Sequence, residues 1–368
     1  MIILHYSTNL KSGGPAAQAA DLAAALQAEG CENIVLSPPC ELVSRLHLAG
    51  AKHISCRRPN IINFINEIRR LRNIIRSKRP QFVQVYTAEA AWIAGMACKR
   101  VPRRERPTIV GVLSSYPRLG LSLKGWQQCD VFTAISKHLR TILKEDSSPL
   151  KCTPWVIPYG ADERLCYPGY TPTAGWLEQW QRNHPEAANK LTICVPGAIS
   201  SLHGLDDLVP ILTGLLRTGI SAHVYLVGDS RRGNTAYVEE LKRKFAQAYL
   251  SEHISWLGVR SDLRDILSIC DVTLSLTKEP ATWDRPVLEA LSLGRPVVGY
   301  DHGIIGELLE AFLPEGRVAP NDTAAVIDTL TQWHTYRPSS LQEIPYPYKQ
   351  SDMAKVYLKL YNELKQKS

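Results

Sequence analysis

The segment from Asp271 to Leu309, DVTLSLTKEPATWDRPVLEALSLGRPVVGYDHGIIGELL, restricts the fold more than any other part of the chain. An apolar run from Val272 to Leu276 reads as a buried strand and ends in a polar loop. A helix follows, carrying Glu289 in Val-Leu-Glu-Ala-Leu. A Gly-Arg-Pro turn leads into a second apolar run, Pro296 to Tyr300, and His302-Gly303 opens another helix at Gly306-Glu307. This is a βαβα unit, and its two strands must lie parallel. It places a carboxylate and a glycine-started helix near the carboxyl ends of parallel strands, where open α/β sheets bind ligands. The free amides of a helix amino terminus hold phosphate. A carboxylate such as Glu289 accepts hydrogen bonds from sugar hydroxyls. Together they suggest a nucleotide sugar.

The first half of the chain repeats the alternation. Ile2 to Tyr6 reads as a buried strand, followed by Ser12-Gly13-Gly14-Pro15 and an alanine-rich helix to about Glu29. Further strands are expected at Asn33 to Ser37, Phe82 to Val85, Thr108 to Val112 and Val131 to Ala134, the last followed by a helix capped by Ser136. Gly13 and Gly14 follow the first strand. They read either as a simple turn or as backbone lining the ligand site. From Glu163 to Ala188 the alternation breaks into a stretch rich in Pro, Trp and polar residues, with one short helix near Gly175 to Asn183. The second α/β unit starts at Leu191, and a final helix runs from Ser351 to Lys367.

A chain of 368 residues is long enough for two domains. The expected division is an amino-terminal domain over 1–165, a linker over 166–190, a second domain over 191–345 and a closing helix over 346–368. No apolar stretch approaches the eighteen or so uncharged residues of a membrane span, and the start of the chain reads as a strand, not a signal peptide. The nine cysteines are scattered without a CxxC pair, which fits reduced thiols in a cytoplasm. Asp206 and Asp207 make a poor metal site, since adjacent helical residues point apart, and no metal is expected.

The net charge of +8 is unevenly spread. Lys52 to Arg106 holds fourteen Lys or Arg against three Glu. Ile61 to Lys78 predicts a helix with Ile61, Ile62, Ile65, Ile68, Leu71 and Ile75 as its apolar stripe, and Arg69, Arg70, Arg72 and Arg76 beside or opposite it. The helix reads either as a core-facing element with a solvated basic face or as a surface resting on anionic lipid. No recognition motif or aromatic stacking platform accompanies the charge, so nucleic acid is not an expected partner.

The Asp271–Leu309 segment resembles the donor site of the family 4 glycosyltransferases, and within that group the lipopolysaccharide and polysaccharide transferases of bacteria. Val195 to Leu205 is similar to the family's first donor loop, and Val224 to Asp229 to the strand and Gly-Asp turn that follow. Ile254 to Leu263 is similar to the strand and loop beside the nucleotide base. Asp130 to Arg140 and Val156 to Asp162 resemble the end of the amino-terminal domain. The resemblance implies the GT-B fold, two Rossmann-like doubly wound parallel-sheet domains facing a cleft, with the last helix crossing back onto the first domain. It implies a retaining transfer of sugar from a nucleotide-sugar donor to a cell-surface glycan or lipid-linked acceptor, without a separate cofactor. The resemblance places such an enzyme in the cytoplasm or on the inner face of the plasma membrane.

Residue by residue, the resemblance assigns Glu289 to the ribose. Gly303, Gly13 and Gly14 supply backbone near the phosphates, with His203 and Arg285 as candidate cations. Several positions depart from the family pattern. Ala198 stands where the family carries Arg, His203 where it carries Lys, and Leu113 where it often carries His. Ala281 occupies the position of the first of two glutamates separated by seven residues, and Glu279 is the nearest upstream acid. No catalytic residue is assigned. Arg231 and Arg232 are further candidate cations near the diphosphate. Two alternatives stay open: a non-catalytic relative that binds glycan or nucleotide, and a nucleotide-sugar epimerase.

Overall fold

Short runs of Val, Ile and Leu separated by helices must stack as parallel strands covered on both faces, because each run is apolar throughout rather than alternating. The computed structural model shows two such sheets, and every strand pairing is parallel. The structure describes residues 1–8, 15–39, 42–60, 63–116, 121–145, 150, 152–230, 235–336 and 346–366.

The chain divides into two compact units, Met1–Gly160 with Tyr348–Ser368, and Ala161–Pro347. The first contains β1 (Ile2–Tyr6), α1 (Pro15–Ala28), β2 (Glu32–Ser37), α2 (Leu42–Leu48), β3 (Lys52–Ser55), α3 (Phe64–Lys78), β4 (Phe82–Val85) and α4 (Ala88–Cys98). It continues with β5 (Thr108–Leu113), α5 (Leu121–Trp126), β6 (Val131–Ala134), α6 (Lys137–Glu145) and β7 (Trp155–Val156). Its seven strands lie in the order β3-β2-β1-β4-β5-β6-β7. Ser136 caps α6 as its sequence position predicts, accepting from the Leu139 amide at 3.1 Å. The strand β3, Lys-His-Ile-Ser, was not expected. It is a short polar edge strand, tied to β2 by Lys52 and Glu32 at 2.7 Å.

Helix α3 corrects the expected apolar stripe. Ile68, Leu71 and Ile75 are buried, but Ile65 is 62% exposed and Glu67 is buried in its stead. The helix is rotated so that Glu67 faces inward, and burial raises that carboxyl above the usual range. Ile61 and Ile62 lie outside the described residues.

The second unit contains α7 (Ala174–Asn183), β8 (Leu191–Pro196), α8 (Leu208–Arg217), β9 (Ala222–Val227), α9 (Thr235–Gln247), β10 (Ile254–Gly258) and α10 (Leu263–Ile269). It continues with β11 (Val272–Ser275), α11 (Arg285–Ser292), β12 (Val297–Tyr300), α12 (Gly303–Phe312), β13 (Arg317–Val318) and α13 (Thr323–Thr335). The strand order is β10-β9-β8-β11-β12-β13. Its core joins Ile193, Val224, Leu226, Leu274 and Val298 from the strands to Leu208, Ile211 and Leu215 of α8 and Leu330 of α13. The stretch 166–190, expected as a linker, belongs to this unit. Trp180 is buried against Tyr225 with ring centroids 5.0 Å apart, and Trp176 donates to Asp262 at 2.9 Å. The polar composition there conceals these aromatic anchors.

The last helix, α14 (Gln350–Gln366), is part of the first unit. Tyr361 stacks on Phe82 at 4.3 Å, the Tyr357 hydroxyl meets Thr133 at 3.0 Å, and Gln350 donates to the Asp21 carbonyl at 2.9 Å. Gly160 and Lys349 touch where the chain leaves and re-enters this unit, and a Cβ at Gly160 would lie 2.2 Å from the Lys349 carbonyl carbon. Among the described residues no helix is long and apolar enough to cross a membrane.

Candidate active site

In the second unit the strand order reverses between β8 and β11, the position at whose carboxyl edge open α/β sheets bind ligands. Backbone contacts hold the loops around it. The Ile199 amide donates to the Asp229 carbonyl at 3.0 Å, and a Cβ on Gly228 would fall 1.7 Å from the Gly197 carbonyl oxygen. The Lys278 amide donates to the Leu202 carbonyl at 2.8 Å. Gly204 sits at φ +64 with the Leu276 carbonyl oxygen 1.9 Å from where a Cβ would be. No residue but glycine fits there, first because of the backbone clash and second because of the left-handed conformation.

His203, a candidate cation, does not open a helix. It ends a single 3₁₀ turn, Ser201–His203, and a second turn, Leu205–Asp207, separates it from α8. The glycine after it takes a left-handed bend, which breaks the helix before it starts. The imidazole packs over Gly197, and Nδ1 lies 2.7 Å from the Ser200 hydroxyl.

The loop from Leu276 to Asp284 carries the cation that sequence reasoning missed. Lys278 donates to Asp207 and, at 2.8 Å, to the side chain of Asn321. Asp207 also accepts from the Tyr300 hydroxyl. Its neighbour Asp206 turns away to Tyr237 at 2.8 Å and Lys244 at 2.7 Å, so the two adjacent carboxylates serve different partners. Among the described residues no cluster of His, Cys, Asp and Glu is placed to hold a metal ion.

Glu289 lies on α11 and is mostly buried. It accepts from Arg285 Nε, one turn earlier, at 2.7 Å. The two expected site residues are thus brought together as an ion pair. Its carboxylate also helps to hold the Cys166 thiol protonated, although burial is the larger cause of that thiol's rise to about 12. Asp284, one residue before α11, is a second carboxylate that sequence reasoning passed over. It caps the helix by accepting from the Val287 amide at 3.1 Å and takes the Ser275 hydroxyl at 3.0 Å. Burial pushes its carboxyl up to about 6, with the charge of Glu289 adding to the rise. Glu279, in the same loop, is exposed and makes no ion pair among the described residues.

Gly303 begins α12 with φ +59. A Cβ there would lie 2.5 Å from the Ala281 carbonyl oxygen, and the Ile304 amide already donates to that oxygen at 2.8 Å. His302 donates through Nε2 to the Thr277 carbonyl at 2.8 Å. The start of α12 is therefore clamped to the β11–α11 loop, and Ile304's amide is spent on it. Leu113 ends β5 as a buried side chain of the first unit. Gly13, Gly14, Arg231 and Arg232 lie outside the described residues.

Comparison with known proteins bears on this arrangement. The family model described as Glycosyltransferase Family 4 matches residues 12–164, and that described as Glycosyl transferases group 1 matches residues 190–335. The lipopolysaccharide core biosynthesis mannosyltransferase LpsB of Rhizobium meliloti is 26% identical over 188 residues, 50% of this chain and 51% of LpsB. The match therefore spans about half the length of that relative. The Anabaena protein HepE, solved in complex with UDP, superposes with a TM-score of 0.80 at 17% identity, covering 99% of this chain and 100% of HepE. A glycosyltransferase from Rickettsia africae superposes with a TM-score of 0.81 at 19% identity, covering 100% of this chain and 99% of that one. These likenesses show the GT-B fold.

Proposed function

We propose that the chain is a family 4 glycosyltransferase that moves a sugar from a nucleotide-sugar donor to a glycan or glycolipid acceptor in lipopolysaccharide or polysaccharide synthesis, with retention of configuration. The observation that carries this reading is the reversal of strand order between β8 and β11, with the β8, β9 and β11 loops locked backbone to backbone and mostly buried Glu289 on the helix after β11. In this reading the ribose hydroxyls donate to Glu289 and the base lies against the loop after β10, where Val259 is 76% exposed. The diphosphate lies between His203 and the start of α12. Developing charge on the leaving diphosphate is the main electrostatic demand of such a transfer. Protonated His203 meets part of it, Gly303 meets part through its backbone, and no metal or other cofactor is required. LpsB, a lipopolysaccharide core biosynthesis mannosyltransferase, supports the acceptor class, and the UDP held by HepE supports the donor class.

A second reading, binding without turnover, is favoured by one observation. Both loop cations, Lys278 and Arg285, are already engaged by Asp207 and Glu289. A calorimetric screen of nucleoside diphosphates and their sugars, followed by product analysis with and without a lipid-linked acceptor, decides between the two. Binding with transfer supports the enzyme, binding without consumption of donor supports the second reading, and no binding overturns both.

The setting proposed for this activity is the inner face of an anionic membrane, with α3 as the contact. Arg69, Arg76 and Lys78 are exposed on that helix together with Ile65. Basic residues near such a surface add about 1 kcal/mol each.

A further inference from the structure

The amino edge of the seven-stranded sheet carries an unusual concentration of cations. Arg79 ends α3 in a left-handed conformation, with its amide on the Ile75 carbonyl at 2.9 Å. That bend turns the chain through Pro80 into β4. The loop before β5 brings Arg103, Arg104 and Arg106 to the same edge, and α14 delivers Lys365 from its last turn. Arg79, Arg104, Arg106 and Lys365 line one cavity of about 380 Å³, with Glu105 as its single carboxylate. Arg106 also borders a second cavity of about 510 Å³, which adds Lys99 and Arg103 against Asp130.

Two features separate this cluster from an ordinary solvated basic face. First, the loop is braced. Arg106 spends Nε on the Val101 carbonyl at 2.8 Å and one terminal nitrogen on the Lys99 carbonyl at 3.1 Å, which fixes the turn carrying Arg103 and Arg104. Second, the cations lack counter-ions. Among the described residues Arg79, Arg104, Arg106 and Lys365 form no ion pair, whereas Lys244, Arg260, Lys278, Arg285 and Arg317 of the second unit are all paired. Like charges gathered around one concavity repel one another, and their field draws an anion into it.

We propose that this edge of the first unit is a binding site for a phosphate ester, separate from the donor site proposed in the second unit. Guanidinium forks match phosphate oxygens in pairs, which favours phosphate over a single carboxylate. The one aromatic side chain lining the smaller cavity, Phe82, is buried in the core beneath Tyr361 and offers no face for a base to stack on. The ligand is therefore a phosphate on a small polar group, either a soluble phosphate ester or a phospholipid headgroup. The inference rests on the first unit alone and does not depend on the glycosyl-transfer reading.

The test uses the full chain and the triple variant Arg79→Gln, Arg104→Gln, Lys365→Gln, which leaves the structural hydrogen bonds of Arg106 in place. Lys355→Gln, on the exposed side of α14, is the charge control. Glycerol phosphate binding is measured by calorimetry at low and high salt. Retention on phosphatidylglycerol vesicles is compared with retention on phosphatidylcholine vesicles. The expected result is salt-sensitive binding in one or both arms that falls about tenfold or more in the triple variant and not in the control. Loss in the soluble arm identifies a free ester, and loss confined to the vesicle arm identifies the headgroup. A folded triple variant that matches the native chain in both arms overturns the proposal, as does an equal loss in the control.

Discussion

Glu289 and Asp284 sit five positions apart at the start of one helix and are set to different tasks by their surroundings. Glu289 faces Arg285, so its carboxylate is available to a ribose once the guanidinium shifts. Losing a hydrogen bond to a charged group costs about 1.5–3 kcal/mol, so Glu289→Ala is expected to weaken nucleotide binding about tenfold or more. Glu289→Gln, which keeps one acceptor, should fall between the two. Calorimetry on folded variants checks this, and an unchanged affinity for Glu289→Ala removes the residue from the site. Glu289 was legible in the sequence because Val287, Leu288, Ala290 and Leu291 announce a packed helix with one polar exception. Asp284 was not. Its burial depends on Ser275, nine residues earlier and at the end of a strand, and no local pattern reports that closure. His203 presents the converse case. The sequence placed it beside the first donor loop, but its 3₁₀ turn is set by Gly204 lying against Leu276, a contact made across the sheet.

At the scale of elements, the central strands were readable because a parallel strand covered on both faces is a continuous apolar run. The edges were not. β3, β7 and β13 are short or polar, and they pair because their neighbours leave open backbone groups rather than because of their own side chains. The same dependence on neighbours governs α12, whose start is held by the β11–α11 loop. Gly303→Ala tests that clamp. Its Cβ would lie 2.5 Å from the Ala281 oxygen and 2.7 Å from the Ala281 nitrogen, and φ +59 disfavours it further. Either the loop from Pro280 to Asp284 or the first turn of α12 must move. Gly30→Ala is the matched control, because Gly30 also has a positive φ of +81 but has nothing within 4 Å of the added atom. Conformational strain alone should cost about 1 kcal/mol at Gly30. Gly303→Ala should cost at least about twice that and weaken nucleotide binding as well. Equal losses of stability in thermal melts, with affinity intact, would show that the loop does not depend on this contact.

In the whole molecule each sheet carries one buried histidine, and the carboxyls that burial raises in the same unit set how that unit responds to acid. His5 is fully buried between Tyr86 at 2.7 Å and Asn33 at 3.0 Å, and burial lowers its pKa to about 4. His223 is 1% exposed and is bound through Nε2 to Ser255 at 2.8 Å. Its Nδ1 has no hydrogen-bond partner, and burial lowers it to about 4 as well. For both, the folded pKa lies below the unfolded value of 6.5. The unfolded chain therefore binds more protons between these values, and stability present above pH 6.5 is lost as the pH falls toward 4. Asp284 has the opposite sign. Its folded pKa of about 6 lies above the unfolded 3.8, so folding gains as the pH falls through 6 and the carboxyl takes up its proton. His53 in the first unit is also lowered by burial and adds to the loss there, while Glu67, its carboxyl raised by burial, offsets part of it. Between pH 6.5 and 5 the first unit should lose about 2 kcal/mol through His5, while in the second unit the loss through His223 is partly offset by Asp284. Calorimetric scans at the two pH values are expected to show the transition of Met1–Gly160 with Tyr348–Ser368 dropping further than that of Ala161–Pro347. Asp284→Asn keeps the cap to Val287 but cannot take up the proton, so in that variant the second transition should fall as steeply as the first. If Asp284→Asn leaves the pH dependence of the second transition unchanged, the buried carboxyl does not set the difference between the units.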